Sequence, residues 1–417
     1  MAGVFLSAPP ETGYAPMMYD IYHRILGLFV AAILVALVAR RLRLPYTVGL
    51  VAAGVALSML PLQGGALLTH DLIFELMLPP LLFEAALFIH WHELQRDVLI
   101  VLALAIFGVV ITAAVVAGGL WAALGWPIGA AAVFGVLIAA TDPVAVIALF
   151  KDLGVTGRLR FLVETESLLN DGVAAVLFGL ALAWVSADGD THLSAFGIAQ
   201  TFLVSAGGGT LTGLACAGIG ILLAWGTTDP LVETGLTVAV AYGSFYLAED
   251  LHVSGVLATV AAGILMGNLG IMRDSTEITI SKEGRTAVLA FWEFAAFLAN
   301  SIVFLLIGLA VAATPLSHLG PIKLELIILL VIAGRALTVY PIAAAFKRTR
   351  LAIPMAQQHV LWWGGLRGAL ALALALALPA DMSMRHEILV ATFAVVVFSV
   401  VVQGLTMAPL MRWLGLR

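Results

Sequence analysis

The sequence predicts an all-α polytopic membrane protein of about thirteen transmembrane helices, arranged as two inverted six-helix repeats with crossed, broken helices. Three observations predict this fold: the composition, the series of long apolar segments, and a matching pair of interruptions. Of 417 residues, 62% are hydrophobic and only 11% are charged, against roughly 25% charged in an average soluble protein. A soluble core cannot bury so much apolar surface, so we expect the chain to lie in a lipid bilayer.

Thirteen segments are apolar for about twenty residues, the length that crosses the hydrocarbon core of a bilayer. They lie at 21–39, 46–62, 71–90, 98–124, 128–150, 160–186, 195–225, 231–249, 253–271, 286–313, 322–346, 355–379 and 386–413. An odd number puts the two termini on opposite sides. Most Lys and Arg residues fall in cytoplasmic connections if the N-terminus is outside and the C-terminus is cytoplasmic, which is the orientation that the positive-inside rule predicts.

Two segments are interrupted by residues that do not suit a helix. The fifth contains Thr141-Asp142-Pro143, and the twelfth contains Gly364-Gly365-Leu366-Arg367-Gly368. The two are seven segments apart and so run in opposite directions, as expected for corresponding broken helices of inverted repeats that cross at a binding site. Asp142 and Arg367 carry opposite charges, which suit them to neutralise the dipoles of half-helix ends. We infer segments one to six and eight to thirteen as the repeats.

Carboxylates lie in the same region, where a membrane helix should have none. The sixth segment contains Glu164, Glu166 and Asp171. An ionised group at a helix centre costs at least about 2.5–3.5 kcal/mol, so several acids close together indicate an ion or proton pathway.

Asp171 is the strongest candidate for the ion site. Ser167 lies four residues earlier, on the same helix face, and Thr141 comes from the broken segment. Hard cations prefer oxygen ligands, so these three residues, completed by water, predict a small oxygen-lined cation site. One carboxylate can hold either a proton or a cation, which is the minimum requirement for exchange. The alternative is that Asp171 and its neighbour Asn170 only bond helices together.

Other polar residues have supporting roles. Asn170 is neutral, so one cation for one proton is the simplest stoichiometry, and its amide is suited to hold the shape of the site. Glu166 and Arg335 are isolated ionisable groups and predict a buried ion pair. Glu84 either lines the access route or adds a carboxylate to the site. The alternative is that its side chain only makes a polar contact between helices. Asn300, in a further apolar segment, is assigned to helix packing.

Four motifs together resemble those of the monovalent cation/proton antiporters, in particular the sodium/proton exchanger branch. They are Thr141-Asp142-Pro143-Val144-Ala145, Glu166-Ser167-Leu168-Leu169-Asn170-Asp171-Gly172, Leu78-Pro79-Pro80 with Phe83-Glu84, and Gly365-Leu366-Arg367-Gly368-Ala369. The resemblance covers nearly all of the chain. Asn170-Asp171, where the electrogenic branch has two aspartates, resembles the electroneutral branch.

The resemblance implies a homodimer in which a core bundle moves like an elevator against a dimerisation bundle. The dimerisation bundle would comprise 1–97 and 229–318, the core bundle 98–190 and 319–417, and a linker helix 191–228. Asp171 would carry the cation and the proton, with Thr141 and Ser167 as ligands. The resemblance likewise implies the roles given above for Asp142, Arg367, Glu166 and Arg335, and it makes Glu84 a contributor at the boundary between the two bundles.

The sequence therefore predicts a secondary antiporter, and no enzyme, that exchanges Na⁺, or alternatively Li⁺, for H⁺ at Asp171. A K⁺/H⁺ antiporter of the same fold is the alternative. An intramembrane hydrolase is disfavoured because no His or Lys lies at helical spacing from Ser167. A cation channel is disfavoured because the K⁺ filter sequence is absent. We expect no cofactor, no nucleic acid partner, and residence in a prokaryotic inner membrane.

Overall fold

The computed structural model describes residues 29–38, 45–59, 69–186, 195–271, 280–314 and 319–416, together with positions 27 and 41. Within these ranges the chain is helical apart from short connections. We number its helices α1 to α15 in chain order. Each predicted span corresponds to one helix or to a pair of half-helices, although the predicted start of the first span lies outside the described residues.

The first half of the chain contains two half-helices, α5 and α6, at its predicted break. The helices are α1 (Phe29–Val38), α2 (Tyr46–Ser58), α3 (Leu78–Leu87), α4 (Trp91–Leu124), α5 (Ile128–Leu137), α6 (Val144–Leu153), α7 (Arg158–Ser186) and α8 (Ala195–Ala224). A π-helical turn, Leu72–Met77, leads into α3.

The second half has the same plan, with half-helices α13 and α14 at its break. The helices are α9 (Pro230–Asp250), α10 (Gly255–Ile271), α11 (Lys282–Ala313), α12 (Pro321–Ala345), α13 (Met355–Trp363), α14 (Ala369–Leu376) and α15 (Arg385–Trp413). Within the described residues, α4, α7, α8, α9, α11, α12 and α15 are each long and apolar enough to cross a membrane unaided.

Helix α4 begins earlier than the apolar pattern predicts, at Trp91 rather than at residue 98. Its first turns contain Asp97, whose side chain is buried and forms ion pairs with Arg96 and Arg158, both at 2.9 Å. Arg158 also donates to the carbonyl oxygens of Leu351 and Ala352 at 2.9 and 2.7 Å. Because the buried charge is paired, α4 can include the charged residues before position 98, which the apolar pattern leaves out of the span.

The helices pack as two groups. Helices α2, α3 and α8 to α11 pack mainly against one another, and α4, α5, α7, α12, α13 and α15 form the second group. Small residues bring backbones together in the first group: Gly54 of α2 lies against the backbone of Leu305 and Gly308 in α11, where a Cβ atom would overlap it. Such close approach is typical of membrane helix pairs.

Candidate functional site

The two broken segments cross in contact with each other. The extended residues between α5 and α6 meet those between α13 and α14 at a single antiparallel bridge, in which the amide of Asp142 donates to the carbonyl oxygen of Leu366 at 2.8 Å. Pro143 has no amide hydrogen, and glycines punctuate the other break, so neither segment continues as a helix. The crossing leaves four half-helix ends close together within the protein.

The carboxylate of Asp142 serves two of these ends. Its Oδ1 accepts from the amide of Val144, the first residue of α6, at 2.9 Å. The carboxylate also interacts favourably with the amide of Ala369, the first residue of α14. A negative charge at a helix N-terminus is favourable because it faces the positive end of the helix dipole. One side chain therefore caps both half-helices that begin at the crossing.

Arg367 serves a third end. Its Nη1 donates to the carbonyl oxygens of Ala139 and Ala140, just past the end of α5, at 2.9 and 3.0 Å. The side chain is 1% exposed, and its backbone amide donates to the Ser399 hydroxyl at 3.0 Å. A cation at a helix C-terminus satisfies carbonyl groups that have no partner within the helix.

Arg335 serves the fourth end and forms a buried ion pair at the same time. Its Nη1 and Nη2 donate to the two carboxylate oxygens of Glu166 at 2.8 and 2.9 Å. Its Nε and Nη2 donate to the carbonyl oxygen of Leu361, near the end of α13, at 3.2 and 3.1 Å. Sequence reasoning proposed the ion pair and missed the contact with α13. The sequence contained a signal for this contact. Two half-helices have their C-terminal ends at the crossing and two Arg residues lie within spans, which suggests one Arg for each end.

Thr141 connects the crossing to α7. Its hydroxyl donates to Ser167 Oγ at 3.1 Å, and the Ser167 hydroxyl donates in turn to the Thr141 carbonyl oxygen. The amide of Asn170 donates to Thr141 Oγ1 and to Glu166 Oε1, both at 3.3 Å. Ser167 and Asn170 thus hold the first break in place, and Ser167 borders a small cavity that also contains Glu166.

A cavity of about 740 Å³ borders the crossing, and Asp171 is one of the residues that line it. Thr141, Asp142 and Glu84 also line it, so four of the predicted site residues share this space. The Oδ1 atom of Asp171 is buried and has no hydrogen-bond partner. A buried acceptor without a partner is costly, which makes this oxygen the natural place for a proton or a cation.

A family model described as "sodium/hydrogen exchanger, transmembrane" matches residues 28–413. The chain belongs to the sodium/hydrogen exchanger family. Membership of this family makes the chain a member of a family of membrane transporters.

Individual relatives of this exchanger-family chain are similar over most of their length. The Na⁺/H⁺ antiporter ApNhaP of Aphanothece halophytica is 41% identical over 379 residues, covering 90% of the chain and 70% of the relative. The Na⁺/H⁺ antiporter NhaH of Halobacillus aidingensis is 33% identical over 409 residues, covering 95% and 99%.

The solved structure of the sodium proton antiporter MjNhaP1 from Methanocaldococcus jannaschii at pH 8 has the same fold. Its TM-score is 0.72 at 21% identity, with 95% of this chain and all of that chain covered. The predicted all-helical fold is therefore confirmed for the arrangement of the helices as well as for the individual helices.

The mouth of the exchanger's cavity, where the lining residues Lys151 and Glu293 are exposed, is charged. Lys151, Arg160 and Glu164 line it from α6 and α7, and Glu293 lines it from α11. Glu164 lies 3.5 Å from Arg160 on its own helix. Sequence reasoning did not single out Glu293, because nothing in the sequence shows that this turn of α11 faces α7.

Two further residues that sequence reasoning missed support the second break. Ser399 bonds the backbone of Arg367, and the amide of Gln403 donates to the Trp363 carbonyl oxygen at 3.2 Å. They lie four residues apart in an apolar helix and so share a face, which was the available signal. Among the described residues, no group of three His, Cys, Asp or Glu side chains is arranged to hold a metal ion.

Proposed function

We propose that the chain is a secondary antiporter that exchanges Na⁺ for H⁺ across the membrane by alternating access. One observation carries this: Asp171, which lines an open cavity beside two crossed broken helices, has a buried carboxylate oxygen without a hydrogen-bond partner. In each cycle Asp171 releases a proton and binds a cation on one side of the membrane. On the other side it releases the cation and takes up a proton.

We propose Thr141 as a further ligand, since it borders the same cavity. Ser167 is a further ligand in this proposal. Its hydroxyl, which donates to the Thr141 carbonyl oxygen, turns toward the ion when the ion binds. Asp142, Arg367 and Arg335 neutralise the half-helix ends, so that the site keeps its shape whether or not a cation is present. No resident cofactor is needed for this cycle.

The stoichiometry we propose is one cation for one proton. Asn170, next to Asp171, is a neutral amide whose nitrogen is held by Thr141 and Glu166. Glu166 is neutralised by Arg335. Asp171 is therefore the carboxylate that binds a proton and a Na⁺ in turn. Because one proton is exchanged for one Na⁺, no net charge crosses the membrane in a cycle.

The movement we propose is an elevator motion of the α4–α7 and α12–α15 bundle against the bundle that contains α3, α10 and α11. The moving bundle comprises the predicted 98–190 and 319–417 together with the first turns of α4, from Trp91 onward. The second bundle, the predicted 1–97 without the start of α4 and 229–318, would form a homodimer, and 191–228 would link the two. The basic residues at the cavity mouth favour the cytoplasmic side, so the conformation described here would be inward-facing. We propose a bacterial inner membrane as its location, with the N-terminus outside.

The decisive experiment uses the purified full-length protein in liposomes that contain a pH-sensitive dye. Wild type and Asp171→Asn are compared after addition of Na⁺, Li⁺ or K⁺. The Na⁺ and Li⁺ arms are repeated with equal K⁺ on both sides and valinomycin, which clamps the membrane potential. We expect Na⁺ to move protons in wild type only, at a rate that the clamp leaves unchanged.

Each contrary result overturns a specific part of the proposal. A wild-type protein that moves no protons with any of the three cations refutes antiport. A larger response to K⁺ than to Na⁺ makes the chain a K⁺/H⁺ antiporter. A rate that changes under the clamp refutes the 1:1 stoichiometry. If a folded Asp171→Asn transports as wild type does, Asp171 is not the carrier, and Glu84 and Asp142 are tested next.

A further inference from the structure

Two helices present matching rows of side chains to the large cavity. On α7 the row is Glu164, Leu168 and Asp171, and on α11 it is Glu293, Phe297 and Asn300. Both rows follow the spacing of four and then three residues that keeps side chains on one helix face. Each row contains an acid, an apolar residue and then an oxygen-bearing residue, in the same chain direction. Asn300 therefore occupies the same place in the row on α11 as Asp171 does in the row on α7.

The oxygen of Asn300 is in the same unusual state as that of Asp171. Its Oδ1 is buried without a hydrogen-bond partner, and the residue lines the cavity. Among the buried unpartnered side-chain atoms of the described residues, those of Asp171 and Asn300 belong to residues that line this cavity. Both atoms are acceptors, and a buried acceptor without a hydrogen-bond donor can be satisfied by a bound cation.

Helix packing does not account for Asn300, although its neighbour is used in that way. The Ser301 hydroxyl donates to the carbonyl oxygen of Phe297 and lies 2.6 Å from the Tyr46 hydroxyl, on the side of α11 that faces α2. Asn300 lies about 100° around the helix from Ser301 and lines the large cavity instead. The sequence assigned Asn300 to helix packing because it could not show which face of α11 was free.

We propose that Asn300 supplies its amide oxygen to the cation bound at Asp171 and thereby helps to select among alkali cations. Amide oxygens are ordinary ligands of hard cations, and cavity size and ligand number decide which ion fits. This inference rests on the antiport proposed above. Because α11 packs with the group of helices opposite α7, the ligand is released when the two groups move, so Asn300 acts at cation capture.

The rest of the two rows fits a path to this site. Glu293 and Glu164 lie at the mouth, within electrostatic reach of Glu84, and raise the local cation concentration. Leu168 and Phe297 form an apolar step between the mouth and the deep oxygens. A cation that passes this apolar step loses part of its hydration water. Oxygen ligands deeper in the cavity must replace that water, and Asp171 and Asn300 together supply them.

The test measures initial rates of dye dequenching in proteoliposomes against the concentrations of Na⁺, Li⁺ and K⁺. In Asn300→Ala we expect the KM for Na⁺ to rise about tenfold, the scale of a lost supporting contact in ion sites. The ratio between the KM values for Na⁺ and Li⁺ should also change, while the maximal rate stays within about twofold. Asn300→Asp restores an oxygen and should return the KM to the wild-type value or below.

Ser301→Ala is the matched control, since it removes the neighbouring polar group on the other face and should leave the three KM values unchanged. A second readout covers poor folding: Na⁺ raises the unfolding temperature of wild type by binding the folded state, and Asn300→Ala should need about tenfold more Na⁺ for the same rise. Unchanged KM values in Asn300→Ala, or a uniform change for all three cations, overturn the inference while Asp171-dependent antiport stands. Wild-type vesicles without cation-driven proton movement would instead refute the antiport itself.

Discussion

Arg335 binds Glu166 through both terminal nitrogens, at 2.8 and 2.9 Å, while its Nε lies 3.2 Å from the carbonyl oxygen of Leu361. One side chain of α12 therefore holds α7, which contains Asp171, and the end of half-helix α13. The two partners are 5% and 1% exposed. Isolated charges at this depth are costly, so the pair is tightly coupled to folding.

Breaking this pair should destabilise the protein more than any loss of a surface charge. In Glu166→Gln the Arg335 charge loses its partner, and removal of one member of a buried pair costs about 3–5 kcal/mol. Arg335→Ala should cost at least as much, because Leu361 also loses its donor. Thermal unfolding of the detergent-solubilised protein measures both. Lys323→Ala, an exposed position on the same helix, is the control and should unfold as wild type does.

Gly368 is required for the double cap formed by Asp142. A Cβ atom at position 368 would overlap the Asp142 carboxylate, so Gly368→Ala must displace it from the first amides of α6 and α14. We expect loss of most transport activity and a lower unfolding temperature. Gly179→Ala on α7 is the matched control, because the space around Gly179 is open. Full activity in Gly368→Ala would show that the carboxylate is not needed at both half-helices.

Much of this site follows from sequence, and the remainder depends on contacts between distant segments. Pro143 and the glycines at 364, 365 and 368 are local signals, so both breaks are predictable. The second contact of Arg335 and the free face of Asn300 depend on which helices become neighbours. The early start of α4 depends on Arg158, 61 residues from Asp97. Apolar periodicity contains no information on such pairing, because every membrane helix has apolar residues on most faces.

Glu84 can act as a ligand or as a remote charge, and ionic strength separates the two. Its neighbours in electrostatic reach include Glu164, Glu293, Lys151 and Arg160. If Glu84 attracts cations from a distance, Glu84→Gln should raise the KM for Na⁺ about threefold at low ionic strength, and the effect should shrink as choline chloride is added, because salt screens charges beyond about 10 Å at 0.1 M.

The same rate measurements in liposomes give the answer, with Glu75→Gln as the control. Glu75 precedes α3 and is exposed, so its loss should leave the KM unchanged. A rise in KM for Glu84→Gln that persists at high ionic strength would contradict remote attraction and make Glu84 a ligand.

Gly172, next to Asp171, lies where the two groups of helices face each other. A Cβ atom there would overlap the side chain of Leu257 on α10. If α7 slides past α10 during transport, Gly172→Ala should obstruct the movement. Overpacking costs about 1–3 kcal/mol, and about 1.4 kcal/mol in a barrier slows a step tenfold. We therefore expect a maximal rate about tenfold lower, with the KM for Na⁺ within about twofold of wild type.

Leu257→Ala in the same chain should restore the rate, since it removes the atoms that the new methyl group meets. Residues in contact are non-additive in this way, whereas a general loss of stability would make the double variant worse. Gly179→Ala, seven residues along α7, should transport at the wild-type rate. A raised KM with an unchanged maximal rate in Gly172→Ala would place the effect of this glycine on cation binding and contradict a role in movement.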